Sequence, residues 1–427
     1  MNETTTENTN RPFWQRIPLA LQIVIALILA VALGIALGAG HPNPTNKAFI
    51  ENLAIPSELV LKALRALATP LIFVAVLHTL MTTHIPGTVG RRLAVLLITN
   101  TTVAILIGLL VANVLRPGTW RHFSAPGSTT LTKQNLDPWG LIKDAVPEAI
   151  LQPLVNNDVL QLIVVALSFG IVLRAIKSEQ EAQGRTGYRP IEEVIGILFE
   201  AVVRILTWVI ALVPLAVFGI VGKTVAEQGF EPFKSLGAFV IAVLLGLTLQ
   251  ACYYLLRVKF GSWVKPINFL RGGSDAFLTA FSTDSSTATM PVTFRVLQEK
   301  IGLRESSASL GALVGTNFNN DGTALYEAMS ALFISQVLGL HLNLGQQFVV
   351  ILTSIFASVG AAGIPEAGLV TMTLVFTSVG LPTQYIALLL TVDWFLDRSR
   401  TVINVMGDMT VSSLLDGKTP HRYGSEE

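Results

Sequence analysis

Apolar residues in this chain run in long, unbroken stretches. The first, Leu19 to Ala39, is about as long as a bilayer's hydrocarbon core is thick. It follows a polar leader, MNETTTENTNRPFWQRIP, and its apolar core is too long for a cleaved signal, so it is expected to be retained as a spanning helix. Further stretches cover residues 58–82, 93–115, 158–176, 192–222, 235–256, 305–339 and 383–413, making eight. Only helices or closed barrels satisfy the backbone in lipid, and barrel strands are short and alternating, so each stretch predicts a helix. Two more apolar regions, 274–300 and 350–382, are broken near their middles by AFSTDSSTATMPVTF and SIFASVGAAGIPEAGLVTM. Non-helical backbone at membrane depth is tolerated only where protein or a cavity covers it, and paired interruptions of this kind point to a transporter's midplane site. Both are read as re-entrant hairpins whose tips meet.

Composition supports a membrane class. Hydrophobic residues make up 51% of the 427 and charged residues only 13%, about half the share a soluble surface carries. The net charge of +1 leaves no basic excess for nucleic acid. A single cysteine, Cys252, excludes an intrachain disulfide and a cysteine-rich metal site. The links are biased: Arg11, Arg16, Arg91, Arg92, Arg174, Lys177, Arg185, Arg189, Arg257, Lys259, Lys265 and Arg271 fall on one side if each span crosses once. That side is expected to be cytoplasmic, with both chain ends on it and the long link carrying Pro117, Pro126, Pro138 and Pro147 outside.

The densest chemistry lies in the last stretch, DWFLDRSRTVINVMGD, Asp393 to Asp408. With Asp397 at zero on a helical wheel, Asp393 falls near about −40°, Arg400 near about −60°, Thr401 near about +40°, Asn404 near about −20° and Asp408 near about +20°. One polar stripe then presents carboxylate, guanidinium, hydroxyl and amide groups to one cavity, whereas Arg398 stands about 100° away. A self-satisfied ion-pair ladder that only packs helices would not need Asn404 and Thr401 in register. In the seventh stretch, GTNFNNDGTALYEA crowds Asn317, Asn319, Asn320 and Asp321 too closely for one helical face, and Gly322 follows. An unwound segment there would free carbonyls that, with the Asp321 carboxylate, suit a hard cation such as an alkali ion better than zinc.

These blocks carry a family likeness. DSSTATMP (Asp284–Pro291), Asn319-Asn320-Asp321-Gly322-Thr323, AAGIPEAGLVTM (Ala361–Met372) and DWFLDRSRTVINVMGD occur in order and spacing over residues 270–415. TPLIF at Thr69–Phe73 and VLQLIV at Val159–Val164 extend the match. The chain resembles the dicarboxylate/amino acid:cation symporters, the family of excitatory amino acid transporters and their prokaryotic glutamate and aspartate transporter homologues. The resemblance implies an all-α polytopic membrane protein of eight transmembrane helices and two re-entrant helical hairpins. A tail (1–17) would precede an N-terminal half (18–256) of scaffold helices in which span 3 (93–115) belongs to the transport core. The C-terminal core (257–415) would hold hairpin 1 (about 265–300), span 7, hairpin 2 (about 346–382) and span 8, before a tail at 416–427. The chain would be a homotrimer in lipid at the plasma membrane, carrying acidic amino acids with sodium and no organic cofactor. Asp397 and Thr401 would hold the substrate ammonium, Arg400 its side-chain carboxylate, and Asn404 with Ser286 the main-chain carboxylate. Thr323 and the backbone around Ile364 and Gly368 would close over it. One sodium site would use carbonyls of Gly315, Asn319 and Asn404 with Asp408; a second Asp321, Asn319, Thr101 and Asn100; a third the backbone of Asn317, Ser358, Val359 and Ala361. The sequence departs from the family at Asn320 (methionine in relatives), Asp284 (arginine or serine) and Leu97 (tyrosine).

Rival readings are a carrier of succinate or malate, a neutral amino-acid or proton-coupled carrier, and an anion channel with a vestigial carrier site. Asp397 argues against a pure dicarboxylate, because a buried carboxylate suits an ammonium and repels a second acid. An intramembrane enzyme finds no nucleophile–base pair or metal cluster in the sequence.

Overall fold

The computed structural model of the protein describes residues 17–82, 87–120, 146–156, 158–360 and 367–420, which form helices and the turns between them. The principal helices are α1 (Leu19–Ala36), α2 (Ile55–Thr82), α3 (Gly87–Leu115), α4 (Val159–Ala182), α5 (Arg189–Ile210), α6 (Val213–Gln228) and α7 (Glu231–Gly261). They continue with α8 (Pro266–Thr283), α9 (Ser286–Val296), α10 (Gly315–Phe318), α11 (Asp321–Val337), α12 (Leu344–Gly360), α13 (Ala367–Ser378) and α14 (Ile386–Asp416). Among the described residues, six helical stretches are long and apolar enough to cross a bilayer. Their outer faces are apolar: Ile28, Leu59, Leu110, Val114, Ile197 and Trp208 are each more than half exposed. So much bare hydrocarbon would drive aggregation in water and is what lipid requires.

The fifth predicted stretch is two helices, α5 and α6, parted at Ala211 and Leu212 just before Pro214, whose ring suits a helix's first turn. The seventh is broken more severely. A wide π-type turn over Leu310–Val314 leads into α10, and Asn319 and Asn320 leave the helical region (φ/ψ −109°/60° and −93°/52°) before α11 begins. The chain thus unwinds where the crowded amides predict it. The first interrupted region is a pair of packed helices, α8 and α9, turning at Asp284 and Ser285. In the second, α12 packs on α13, and residues 361–366 between them lie outside the described residues.

Helices α1, α2, α4, α5 and α6 pack mainly on one another, with α1 against α6 and α2 against α4, α5 and α6. Of the rest, α3, α7, α12, α13 and α14 touch α11, which is buried almost all round, and α8 and α9 pack on each other and on α14. Membrane helices gain nothing by hiding oil from oil, so close backbone approach through small residues does much of the packing. At Gly322, an added Cβ would sit 2.6 Å from the Arg400 carbonyl oxygen and 3.0 Å from its Cα. Gly322→Ala must therefore push α11 off α14. The expected result is a lower thermal midpoint for the purified protein, equivalent to about 1–3 kcal/mol. Ligand affinity should fall with it, because the two helices carry the site together; a thermal melt with and without ligand checks both.

Candidate functional site

The polar stripe of α14 faces inward along its whole length. Asp393, Asp397, Arg400, Thr401, Asn404 and Asp408 are all buried. Arg400 is the centre. Its Nε donates to Asp397 Oδ1 at 3.1 Å, its Nη2 donates to the same oxygen, and its Nη1 donates to Asp393 Oδ1 at 2.9 Å. The guanidinium lies 4.0 Å over the Tyr326 ring, a cation–π contact from α11. The charges pair along the helix as a ladder, and Tyr326 of α11 packs on it. Arg398, predicted to lie off the stripe, donates to the carbonyls of Phe281 and Ser282 at 3.2 and 3.3 Å and ties α8 to α14.

Most predicted substrate contacts meet here. Thr401 Oγ1 donates to Asp284 Oδ1 at the α8–α9 turn (3.4 Å), one residue before the Ser285 cap and two before Ser286, which is buried at the start of α9. Asn404 Oδ1 accepts from the Gly322 amide at 2.8 Å, and its Nδ2 donates to Thr323 Oγ1 at 3.4 Å. Gly368 on α13 lies over the guanidinium: a Cβ there would stand 3.2 Å from Thr323 Cγ2 and 3.3 Å from Arg400 Nη2. Ile364 and Ala361 fall outside the described residues.

The predicted cation ligands form distinct groups. Asn319 Nδ2 donates to the Asn404 carbonyl at 3.3 Å and to Asp408 Oδ1 at 3.2 Å, and a Cβ on Gly315 would touch that same carboxylate oxygen at 2.4 Å. Gly315, Asn319, Asn404 and Asp408 are therefore together. Asp321 Oδ1 accepts from Thr101 Oγ1 at 2.6 Å, and Oδ2 accepts from the Tyr254 hydroxyl. Asn100 lies beside Thr101, but its Oδ1 accepts from Arg257 Nη1 and so faces a cation already present in the chain. Arg257, counted by sequence among the link charges, is a residue of α7 and reaches into this group. Ser358 offers its carbonyl, which accepts from Asn320 Nδ2 at 2.8 Å; Val359 continues the same helix, and Asn317 Nδ2 donates instead to Leu313 O at 3.3 Å.

Sequence reasoning missed Tyr254, Tyr326, Arg257 and Glu327. Glu327 is fully buried, and its Oε1 accepts from Thr371 Oγ1. Its signal was available: a carboxylate one helical turn beyond Thr323 in an otherwise apolar stretch. Tyr254 gave none, because the tyrosine pair Tyr253–Tyr254 in an apolar run reads as packing.

The sequence matches the sodium:dicarboxylate symporter family over residues 19–418. Among curated proteins it is similar to excitatory amino acid transporter 1 of Ambystoma tigrinum, 29% identical over 88% of this chain and 79% of that protein. Excitatory amino acid transporter 3 of Mus musculus is 30% identical over 83% of this chain and 77% of its own length. Excitatory amino acid transporter 4 of Mus musculus reaches 40% identity over 61% of this chain and 45% of its own.

Proposed function

Because the chain belongs to the sodium:dicarboxylate symporter family, we propose that it is a secondary active symporter that carries aspartate or glutamate with sodium by alternating access. The family is one of transporters, not enzymes. The observation that carries the substrate reading is Arg400, a fully buried guanidinium set against two buried carboxylates of α14. A small acidic amino acid is complementary to that set: its side-chain carboxylate replaces Asp397 on the guanidinium fork, and its ammonium takes the freed Asp397 and Thr401. Asn404 and Ser286 hold the main-chain carboxylate, and Thr323 with the backbone at Gly368 covers it. The test is calorimetric titration of the detergent-purified chain with aspartate, glutamate, serine and succinate, with and without sodium. Sodium-dependent heat from the two acidic amino acids supports the reading; heat from succinate alone would replace it with a dicarboxylate carrier.

Sodium enters this reading as a co-substrate. Gly315, Asn319 and Asn404 would supply carbonyls around Asp408, an oxygen-only set suited to an alkali ion. Rotating the Asn319 amide by half a turn would put its Oδ1, which has no hydrogen-bond partner among the described residues, where Nδ2 now donates. Asp321 with Thr101 would form a second site, joined by Asn319 and Asn100 only if Arg257 releases the latter. The backbone of Asn317, Ser358, Val359 and Ala361 would form a third. The architecture consistent with this is eight spans with α8–α9 and α12–α13 as re-entrant hairpins, α1, α2 and α4–α6 as scaffold, and the remainder as moving core. A homotrimer joined through the scaffold, in the plasma membrane with both ends cytoplasmic, completes the proposal.

Asn320 occupies the Ser358 carbonyl with an amide donor. A methionine there cannot donate. Asn320→Met is therefore expected to free that carbonyl and steepen the sodium dependence of substrate affinity, read as the slope of apparent aspartate affinity against sodium concentration. An unchanged slope would show that this carbonyl is not a cation ligand.

Proton coupling is the second reading with an observation in its favour: Glu327 is a buried carboxyl, bonded by a threonine hydroxyl and by no cation among the described residues. Uptake driven by a proton gradient with sodium absent, and lost in Glu327→Gln, would select it.

A further inference from the structure

The turn between α8 and α9 places a carboxylate at the pocket that none of the proposed substrate contacts uses. Asp284 closes α8 in the left-handed region (φ 57°, ψ 28°), a conformation that aspartate, asparagine and glycine adopt more readily than other residues. It is 9% exposed, and its Oδ1 accepts from Thr401. Thr401 lies one helical turn beyond Asp397 on the same face of α14, so its hydroxyl bond brings Asp284 from the α8–α9 turn beside that face. The charges acting on Asp284 come from α14: Asp397, Arg398, Arg400 and Asp393. Neither guanidinium pairs with it among the described residues. Arg400 is engaged by Asp393 and Asp397, and Arg398 by the carbonyls that end α8. Asp284 therefore stands beside the face of α14 that carries Thr401 and Asp397, with its own nearest guanidiniums engaged elsewhere.

Resting on the acidic amino-acid reading above, we propose that Asp284 is a specificity-determining residue. It supplies a second carboxylate to the substrate's ammonium group and makes the pocket reject dicarboxylates that lack an amine. An ammonium has three N–H donors, and Asp397, Asp284 and the Thr401 hydroxyl offer three acceptors around one point. A dianion without the amine brings no positive charge to that point and leaves two converging carboxylates facing each other and the ligand. Discrimination then comes from repulsion of the wrong ligand as well as attraction of the right one.

The experiment uses the full chain in proteoliposomes under an inward sodium gradient. Uptake of labelled L-aspartate is inhibited by unlabelled L-aspartate and by succinate in the wild type, Asp284→Asn and Asp284→Gly. Asparagine keeps both the left-handed backbone preference and an acceptor for Thr401, so it removes only the charge; glycine removes the side chain. The ratio of succinate to aspartate inhibition constants is expected to fall by about tenfold or more in both variants. Where a variant binds but no longer transports, the same ratio is read from displacement of bound aspartate in detergent. A ratio unchanged in Asp284→Asn while the wild type takes up aspartate overturns this proposal alone. So does a ratio that moves in Asp284→Gly but not in Asp284→Asn, which assigns the residue to the shape of the turn. A wild type that recognises no amino acid removes the functional reading and this proposal with it.

Discussion

Arg400→Ala is expected to abolish uptake of aspartate and glutamate while leaving weak recognition of a neutral amino acid. The guanidinium is fully buried, donates through three nitrogens to Asp393 and Asp397, and stacks on Tyr326. It cannot usefully lose its proton, so the substrate's side-chain carboxylate has a permanent partner in the wild type and only carboxylates in the variant. Truncating one member of a buried charge pair costs on the order of 2–5 kcal/mol, a factor of tens to thousands in affinity. Asp393 and Asp397 lose their counter-charge in the same variant, so a folded fraction is selected first by size exclusion. Pairing the change with Asp393→Asn removes part of the repulsion and should recover fold without recovering acidic substrate. Arg400→Lys should also fail, since an ammonium cannot reproduce the fork that spans both carboxylates. Asp397→Asn has a different signature: every amino acid weakens, and a pure dicarboxylate weakens less. If the two residues only held α14 in place, both variants would lose all ligands together. Competition against labelled substrate on each folded variant reads the pattern, and native aspartate affinity in Arg400→Ala would sink the acidic-substrate reading.

Asp408→Asn should raise the sodium concentration needed for half-maximal uptake by at least about tenfold, with a much smaller effect on substrate affinity at saturating sodium. Asp408 is buried against Gly315 and bonded by Asn319, and it is the one carboxyl in a group whose other oxygens are carbonyls. An alkali ion gives up its hydration shell for such a site, and removing the one formal charge takes away most of the return. Asp416, two turns further along α14, is the control. Its carboxylate accepts from the Arg304 amide and Nε at 3.1 Å and from Trp263 Nε1 at 2.7 Å. It is tied up in anchoring the helix end, so Asp416→Asn should lower stability and leave the sodium midpoint alone. Sodium titration of initial uptake rates separates the two, and equal midpoint shifts in both variants would mean that Asp408 is structural.

The parts of this fold that could be read from sequence are those where burial and polarity conflict. A lipid-spanning helix has no reason to hold Asp393, Asp397, Arg400, Asn404 and Asp408 at helical spacing unless they share a face, and they do. The Asn319–Asn320 break was legible for a similar reason: adjacent amides cannot all point inward from a regular helix, and the backbone unwinds there. What sequence did not carry was how elements pair across the bundle. The family resemblance makes Asn100 a cation ligand, yet Arg257, distant in the chain, takes its oxygen. Arg257 in turn reads as a boundary charge because it sits near the end of an apolar run, and only the packing of α7 on α3 turns it inward. Tyr254 bonds Asp321 from that same helix, whereas Leu97, on α3, packs with Leu93 and Val314. The split of the fifth stretch was hidden because α5 and α6 are both apolar and meet at a short, uncharged turn.

Concentrative uptake distinguishes a sodium-coupled carrier from a passive pathway. The purified chain, reconstituted into sealed liposomes, is given labelled L-aspartate at equal concentration inside and out, and a sodium gradient is imposed. Aspartate is expected to accumulate against its own gradient only while sodium flows inward, and to leave again when an ionophore dissipates that gradient. Equal aspartate inside and out throughout, with or without the sodium gradient, would contradict sodium-coupled transport.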